Sequence, residues 1–263
     1  MNKLSWFQRA TILTVVGVLV FAIFLTSPNR WWCVSALVAI YLIVSGVGVY
    51  SAGMNYFCEA VCRGKAGRKR IALTFDDGPD GAATAVLLDI LKMYKAHASF
   101  FCVGRQAEAN SDLIKRIVNE GHALGNHSYA HHWWTNFLTK TPLVNEINRT
   151  QSVLSGLSGI TPRYYRSPMG LSNPHLASAL RETDMKLIAW DVRPFDRGES
   201  SKTIIDRVTG VNKKTSPVSD GSIVLLHDGG ASPSTLVESV KGIIEHFQAL
   251  GFSFVSLDEL FQD

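Results

Sequence analysis

The first 58 residues of the 263-residue chain contain no aspartate or glutamate, which argues against a soluble domain in this region. Two uncharged, largely apolar runs occupy it, residues 11–26 and 31–50. As helices they would be about 24 and 30 Å long, so both can cross a bilayer, the first only just. We predict an uncleaved two-helix transmembrane hairpin. A signal peptide is the alternative for the first run, but residues 25–30 have no small-x-small cleavage pattern.

Positive charge is unevenly distributed around the two runs. Lys3 and Arg9 precede the first run, Arg30 alone lies between the runs, and five lysines and arginines follow between residues 63 and 70. By the positive-inside rule, this distribution predicts a multi-pass protein of the cell membrane. Both chain ends, and the domain after the hairpin, are predicted on the cytoplasmic side.

The rest of the chain carries no excess of positive charge, and the whole chain has only four cysteines. Residues 71–263 contain 18 Lys and Arg against 21 Asp and Glu, so a basic groove for nucleic acid is not expected. The four cysteines do not suggest a disulfide framework, because Cys33 lies in a predicted membrane helix and Cys102 in an apolar run. Cys58 and Cys62 can pair or be lipidated, but two ordinary cysteines at a membrane boundary are the favoured interpretation.

From residue 67 onward, short apolar runs alternate with helical segments. The predicted strands are residues 71–75, 99–103, 123–125, 164–165, 187–190, 223–226 and 252–255, and the predicted helices are residues 84–95, 112–120, 142–157, 174–181, 202–212 and 235–250. This alternation implies parallel strands joined by right-handed crossovers. We therefore predict an α/β fold, an incomplete (β/α) barrel of about seven βα units in residues 67–263. Residues 1–66 would form the hairpin and a basic juxtamembrane linker.

Five of the strand ends carry Asp, His or Arg, where the catalytic groups of parallel barrels lie. Asp77, His127 and His131 are the predicted metal ligands. The two histidines are four residues apart, close to one helical turn, and two imidazoles with one carboxylate leave coordination positions open for water and substrate. Asp76 is then the predicted general base, because adjacent side chains diverge at a strand end. Taken alone, an Asp-Asp-Gly-Pro segment is equally typical of a simple turn.

Taken together, the strand-end segments resemble one known family. They include Thr74-Phe75-Asp76-Asp77-Gly78-Pro79, His127-Ser128-Tyr129-Ala130-His131, Arg166-Ser167-Pro168-Met169-Gly170 and Leu225-Leu226-His227-Asp228, in this order. Over residues 70–263 this pattern is similar to the polysaccharide deacetylase family, built on the NodB homology domain and also called carbohydrate esterase family four.

The resemblance implies a distorted (β/α) barrel and metal-dependent removal of an N-acyl, usually acetyl, group from an amino sugar. Asp76 would be the base. Asp77, His127 and His131 would bind Zn²⁺ or another divalent ion such as Co²⁺, Ni²⁺ or Mn²⁺. The metal lowers the pKa of water and polarises the amide carbonyl, so these roles are chemically consistent.

The other family positions concern proton delivery and substrate binding. By resemblance, Arg166 would orient the base and His227 would be the general acid that protonates the leaving amine. The backbone N–H of Met169 would bind the oxyanion, and Leu225 would line the acyl pocket. Trp190 is expected either to contact the substrate or to pack in the core.

Two positions depart from the family pattern. Met169 stands where the family commonly has an aromatic residue, so a contact with the sugar is altered. Arg193 stands where the fourth motif usually supplies the aspartate that orients the acid histidine. Asp191 or Asp196 can substitute for it, and the sequence does not choose between them.

The favoured function is a membrane-anchored, metal-dependent deacetylase of an N-acylated amino-sugar glycan. The glycan can be polymeric, as in peptidoglycan, chitin-like oligomers or exopolysaccharide, or lipid-linked. A catalytically silent carbohydrate-binding module and a membrane scaffolding protein are the alternatives. The basic cluster at residues 63–70 is expected to keep the mouth of the barrel close to lipid head groups, which favours a membrane-bound substrate.

Overall fold

The computed structural model describes residues 4–25, 29–50, 52–210 and 218–262. The helices are α1 (Trp6–Phe24), α2 (Asn29–Tyr50), α3 (Gly81–Met93), α4 (Gly104–Ala109), α5 (Ser111–Asn119), α6 (Lys140–Ser158), α7 (Leu176–Glu182), α8 (Ser201–Thr209), α9 (Pro233–Ala249) and α10 (Leu257–Leu260). The strands are β1 (Ala60–Val61), β2 (Arg70–Asp76), β3 (Ala98–Cys102), β4 (Ala123–Asn126), β5 (Tyr164–Tyr165), β6 (Lys186–Ile188), β7 (Ile223–His227) and β8 (Ser253–Phe254). Short 3₁₀ helices cover Ala52–Met54, Trp133–Phe137 and Pro168–Gly170.

Helices α1 and α2 pack against each other and leave their apolar side chains largely uncovered. They have 19 and 22 residues, which corresponds to about 28 and 33 Å. By length and composition both can cross a membrane. Their ends contact the rest of the chain: the Phe7 N–H donates to the Tyr56 carbonyl at 3.0 Å, and the Ser172 N–H donates to the Val49 carbonyl at 2.9 Å.

The strands form one curled sheet in which every pair of neighbouring strands is parallel. Seven strands follow the order β1-β6-β5-β4-β3-β2-β7, and β8 pairs with the start of β2. Isolated bridges, Val192 with Val224 and Arg63 with Ser222, bring the two ends of this path together. The predicted distorted, incomplete (β/α) barrel is therefore confirmed.

Strand β2 shows how the sheet separates the helix layer from the barrel interior. Ile71, Leu73 and Phe75 belong to the apolar cluster shared with α3 and α9, whereas Ala72 belongs to the cluster inside the barrel. Because side chains alternate along a strand, Thr74 and Asp76 lie on the interior side with Ala72. This periodicity directs the carboxylate of Asp76 toward the mouth of the barrel.

Several element boundaries differ from the sequence prediction. Helix α6 begins at Lys140, after the N-cap residue Thr139, and not at Pro142. Helix α7 begins at Leu176, and Asn173 accepts a hydrogen bond from the His175 N–H just before it. Helices α4 and α10 and strand β1 were not predicted, and β1 lies in the segment predicted as linker, where it pairs with β6. The last two residues of the predicted helix 202–212 lie outside the described residues.

The basic cluster at residues 63–70 lies at the wrong end of the barrel to hold its mouth at a membrane. Strand β2 begins at Arg70 and ends with Asp76 at the mouth of the barrel, roughly 20 Å away at 3.3 Å per residue. The cluster is held at this end of the barrel, because the carboxylate of Asp220, just before β7, accepts hydrogen bonds from the N–H groups of Gly67 and Arg70. The expectation that this cluster keeps the barrel mouth close to lipid head groups is therefore wrong.

Candidate active site

The carboxyl ends of five strands meet around one cleft of about 620 Å³. Asp76 lies in register with His227 on β7 and with Phe101 on β3, so the predicted base and acid come from adjacent strands. The cleft is lined by Asp76, Asp77, His127, His131, Met169, Gly170, Trp190, Arg193, Phe195, Asp196, Arg197, Leu225 and His227. Apart from Arg166, which lies buried behind Asp76, and Asp191, every predicted site residue is among them.

The three predicted metal ligands converge, with their donor atoms within 4.8 Å of one another. Asp77 Oδ1 lies 3.3 Å from His127 Nε2 and 3.0 Å from His131 Nε2. Asp77 and His131 both have positive φ, 72° and 50°, an uncommon backbone conformation for residues with a side chain. The surrounding loops hold these strained residues in place, as is typical of functional sites.

The donor set fits a divalent cation. His127 Nδ1 contacts the Arg166 carbonyl at 2.8 Å, and because a carbonyl only accepts, this nitrogen carries the proton. The lone pair of Nε2 is then available to a cation that Asp77 also contacts. Zn²⁺ bonds of about 2.0–2.1 Å in a tetrahedral site separate the ligand atoms by roughly 3.3 Å, close to the observed spacing. His131 Nε2 is buried and makes no hydrogen bond of acceptable geometry to any described residue.

Burial and charge act together on this cluster. Burial alone would raise the pKa of Asp77, but the two neighbouring histidines outweigh it and hold that pKa well below its usual range. Burial alone would lower the pKa of His127, but the Asp76 and Asp77 carboxylates outweigh it and raise that pKa. The carboxylate therefore stays ionised as a ligand.

Arg166 holds Asp76 in the barrel interior. Its Nη1 donates to Asp76 Oδ1 at 2.7 Å and to Thr74 Oγ1 at 2.8 Å, and its Nη2 donates to the Ala189 carbonyl at 3.1 Å. The guanidinium carbon also lies 4.0 Å from the centroid of the Phe101 ring. Arg166 and Asp76 are only 1% and 3% exposed. A buried ion pair with this many hydrogen bonds fixes the direction of the carboxylate.

Asp196 is the aspartate that contacts His227. Its Oδ1 lies 2.8 Å from His227 Nδ1, and its Oδ2 accepts from the backbone N–H of His227 at 2.8 Å. This pairing places the proton on Nδ1 and leaves Nε2 for the cleft. Asp191 lies elsewhere: its carboxylate accepts from Ser222 Oγ at 2.8 Å and from the Ile223 N–H at 2.7 Å. The alternative that Asp191 orients His227 is therefore wrong, and Asp196 is its partner.

The three predicted substrate-binding residues border the cleft. Met169 has a φ of 58°, and no described residue accepts a hydrogen bond from its N–H. Leu225 is 2% exposed, so only a small part of its side chain reaches the cleft. Trp190 both packs against two core clusters and lines the cleft, and a Cβ on Gly170 would come within 2.4 Å of its ring. Trp190 therefore packs in the core, and its contact with the substrate stays a prediction.

Comparison with known proteins identifies the family. A family model described as polysaccharide deacetylase matches residues 63–188. The chain is 34% identical over 201 residues to a peptidoglycan-N-acetylglucosamine deacetylase of Bacillus cereus, a match that covers 76% of this chain and 70% of the relative. The chain belongs to the polysaccharide deacetylase family. The predicted resemblance is confirmed.

Further relatives of this polysaccharide deacetylase family point the same way. The chain is 36% identical over 194 residues to the peptidoglycan-N-acetylmuramic acid deacetylase PdaC of Bacillus subtilis, and this match spans 39% of that protein's length. The crystal structure of the peptidoglycan N-acetylglucosamine deacetylase Bc1960, in complex with 4-naphthalen-1-yl-N-oxidanyl-benzamide, superposes with a TM-score of 0.70 at 32% identity. That superposition covers 77% of this chain and 92% of the other.

Three residues of this family member's site were missed by the sequence analysis. Arg197 Nη2 pairs with Asp77 Oδ2, the oxygen that faces away from the histidines. Thr74 accepts a hydrogen bond from Arg166. It lies two residues before Asp76 on the same strand, so the sequence indicated that both side chains are on the same face of the sheet. Asp228 is buried, accepts from Thr84 Oγ1 and packs so close to Gly78 that a Cβ there would come within 2.1 Å of its carboxylate. Burial raises the pKa of Asp228 to about 7.

Proposed function

We propose that this chain is a membrane-anchored, metal-dependent N-deacetylase acting on an N-acetylated amino sugar of a peptidoglycan-type glycan. One observation carries the proposal: the Asp77, His127 and His131 donor set shares a cleft with an arginine-held Asp76 and an aspartate-held His227. Such a cleft contains a metal site, a base and an acid. The names of the relatives support the glycan class.

Asp77, His127 and His131 would hold the metal, with Zn²⁺ favoured by the two nitrogen donors and one oxygen donor, and Co²⁺, Ni²⁺ or Mn²⁺ as alternatives. When bound, the ion supplies Lewis acidity to water and to the amide carbonyl. The N-oxidanyl-amide bound by Bc1960 offers two oxygen donors, a chemistry that suits a cation in this place.

The protein residues would manage the protons. Asp76, held by Arg166 Nη1, accepts the proton of the attacking water. His227 donates its Nε2 proton to the amine nitrogen as the C–N bond breaks, while Asp196 holds Nδ1. The N–H of Met169 donates to the oxygen that becomes negative in the tetrahedral intermediate. The products are acetate and the free amino sugar.

This intact set supports an enzyme over a silent carbohydrate-binding module, for which at least one of these residues would be dispensable. A scaffolding role gives no reason to keep a buried arginine-carboxylate pair at the floor of an open cleft. Burying two charges is costly, and such pairs are typically kept where their orientation matters.

The membrane part of the proposal rests on α1 and α2 and on the charges around them. Lys and Arg at both ends of the hairpin favour the cytoplasmic side for the catalytic domain. The Ser172 N–H donates to the Val49 carbonyl at the end of α2, and Ser172 follows the cleft residue Met169 by three positions. The end of α2 therefore lies near the cleft. A lipid-linked precursor of a peptidoglycan-type glycan satisfies both the relatives' substrate class and this position.

The test is acetate release by the full chain, purified in detergent and loaded with Zn²⁺. N-acetylglucosamine oligomers, peptidoglycan fragments and lipid-linked precursors should be offered in parallel, with Asp76→Asn as the matched inactive control. We expect acetate from at least one glycan and none above background with the variant. Metal-loaded protein that releases no acetate from any of them would contradict the proposal. A C-terminal alkaline phosphatase fusion that is active would place the domain outside the cell and exclude the cytoplasmic precursor.

A further inference from the structure

Arg193 lies in the cleft between two aromatic rings. Its guanidinium carbon is 5.5 Å from the centroid of the Trp190 ring and 4.9 Å from that of Phe195, and all three side chains line the cleft. Both distances are within the range of cation–π contacts. These contacts restrict the guanidinium to one position in the cleft, unlike the side chain of an arginine on an open surface.

Arg193 has no counter-ion among the described residues. Each carboxylate that lines the cleft is already paired, as the contacts Asp76 with Arg166, Asp77 with Arg197 and Asp196 with His227 show. Arg193 is the remaining guanidinium in the cleft.

The hydrogen-bonding groups of Arg193 are also unsatisfied. Its Nε is buried and has no acceptor within the part of the chain that the structure describes. A buried donor without an acceptor costs free energy, and such groups in native proteins usually have a partner. The Nη groups of the same guanidinium likewise have no acceptor among the described residues, and on the cleft side an atom of the substrate can supply one.

We propose that Arg193 is the anion-binding residue of the cleft and recognises an oxyanion, a carboxylate or a phosphate, on the glycan that carries the scissile amide. A planar guanidinium binds either group through two parallel hydrogen bonds. N-acetylmuramic acid carries a lactyl carboxylate that N-acetylglucosamine lacks, and a lipid-linked precursor carries phosphate. The inference rests on the proposed function and assigns its substrate an anionic group.

The experiment compares three glycans on the full, Zn²⁺-loaded chain. They are a peptide-free peptidoglycan fragment in which the lactyl carboxylate of N-acetylmuramic acid is free, an N-acetylglucosamine oligomer of equal length, and N-acetylglucosamine 1-phosphate. We expect Arg193→Gln to lower kcat/KM for the preferred anionic glycan roughly 10- to 100-fold, the effect of losing a charged hydrogen-bond pair, mainly through KM. The neutral oligomer should change less than about twofold. Arg193→Lys should restore part of the loss, because it returns the charge without the planar fork.

Arg163→Gln is the matched control, since Arg163 pairs with the half-exposed Asp258 and does not line the cleft. It should leave all three glycans unchanged. A preference for the muramic acid fragment would identify a carboxylate as the ligand, and a preference for the 1-phosphate would identify a phosphate. Equal wild-type kcat/KM for charged and neutral glycans would overturn the inference. An equal loss on all three with Arg193→Gln would do the same, because it would indicate only a packing role beside Trp190.

A calorimetric titration with the same three glycans separates this inference from the proposed function. Binding requires no turnover, so tighter binding of an anionic glycan that Arg193→Gln abolishes would support the anion site even in a chain that releases no acetate. Equal affinity of wild type and Arg193→Gln for every glycan would refute the anion site even in an active deacetylase.

Discussion

Replacing Asp196 by asparagine should lower turnover strongly and leave metal binding intact. The Asp196 carboxylate accepts from both the Nδ1 and the backbone N–H of His227, each at 2.8 Å, and the two side chains are only 8% and 13% exposed. Asparagine has nearly the same size but only one acceptor oxygen. One of the two donors of His227 would then face an NH₂ group, and the negative charge beside the imidazole would be lost.

The size of the effect follows from the one charged hydrogen bond that is lost. A hydrogen bond to a charged group contributes about 1.5–3 kcal/mol. If this contribution is lost from the transition state, kcat should fall roughly 10- to 150-fold. The assay is acetate release at saturating metal and substrate, with bound metal measured on the same sample.

Asp191→Asn is the control, because Asp191 has the same side chain and lies in the same segment but contacts Ser222 and Ile223. It should change kcat less than about twofold and lower thermal stability instead, since a partly buried acceptor of two hydrogen bonds is weakened. Equal loss of turnover in the two variants, or wild-type turnover in Asp196→Asn, would refute the assignment of Asp196 as the residue that positions His227.

Three further changes test other parts of the account. His127→Ala should reduce metal content and turnover together, because it removes one of three ligands; an unchanged metal content measured by atomic absorption would exclude it as a ligand. Asp76→Asn should keep the metal and lower kcat by at least about 100-fold, because an amide cannot accept the water proton; near-normal kcat would exclude it as base. Burial lowers the pKa of His122 from 6.5 to about 4. Between these pH values the unfolded chain binds a proton at His122 that the folded chain does not, so the free energy of unfolding falls by about 3 kcal/mol as pH drops from 6.5 to 4. His122→Asn retains an acceptor for the Ala98 N–H. In this variant the unfolding temperature should depend less on pH between pH 4 and 6.5 than in the wild type, and an equal dependence would contradict this.

The barrel and most of the cleft could be predicted because they depend on local signals. Alternation of strand and helix gave the fold class, and catalytic side chains at the ends of parallel strands necessarily meet at one edge of the sheet. Asp77 and His131 were predictable as cleft residues for this reason. Their positive φ and their distances were not, because those depend on how the loops pack.

The choice between Asp191 and Asp196 could not be made from sequence because it depends on barrel closure. The bridge between Val192 and Val224 sets the stagger between the segment after β6 and strand β7. This stagger places Asp191 beside Ile223 at the start of β7 and carries Asp196 to His227 at its end. A different register would bring another residue of this segment to His227, and no local pattern in the sequence encodes the register.

The attachment of the hairpin to the barrel was also beyond sequence reasoning. Charge counting could predict a side of the membrane, but not which end of the barrel lies nearest to the helices. The contact of Val49 with Ser172 is a single backbone hydrogen bond between residues more than 120 positions apart. Such contacts depend on the assembled fold, which is why the basic cluster at residues 63–70 was expected near the barrel mouth.

The most direct test of the central claim is a metal titration of the full chain after chelation, with bound ion and acetate release measured on the same samples. The Asp77, His127 and His131 site predicts that both quantities rise together and level off at about one ion per chain, and that Asp77→Asn shows neither rise. Full turnover in the presence of chelator, or one tightly bound ion without acetate release from any N-acetylated glycan, would contradict it.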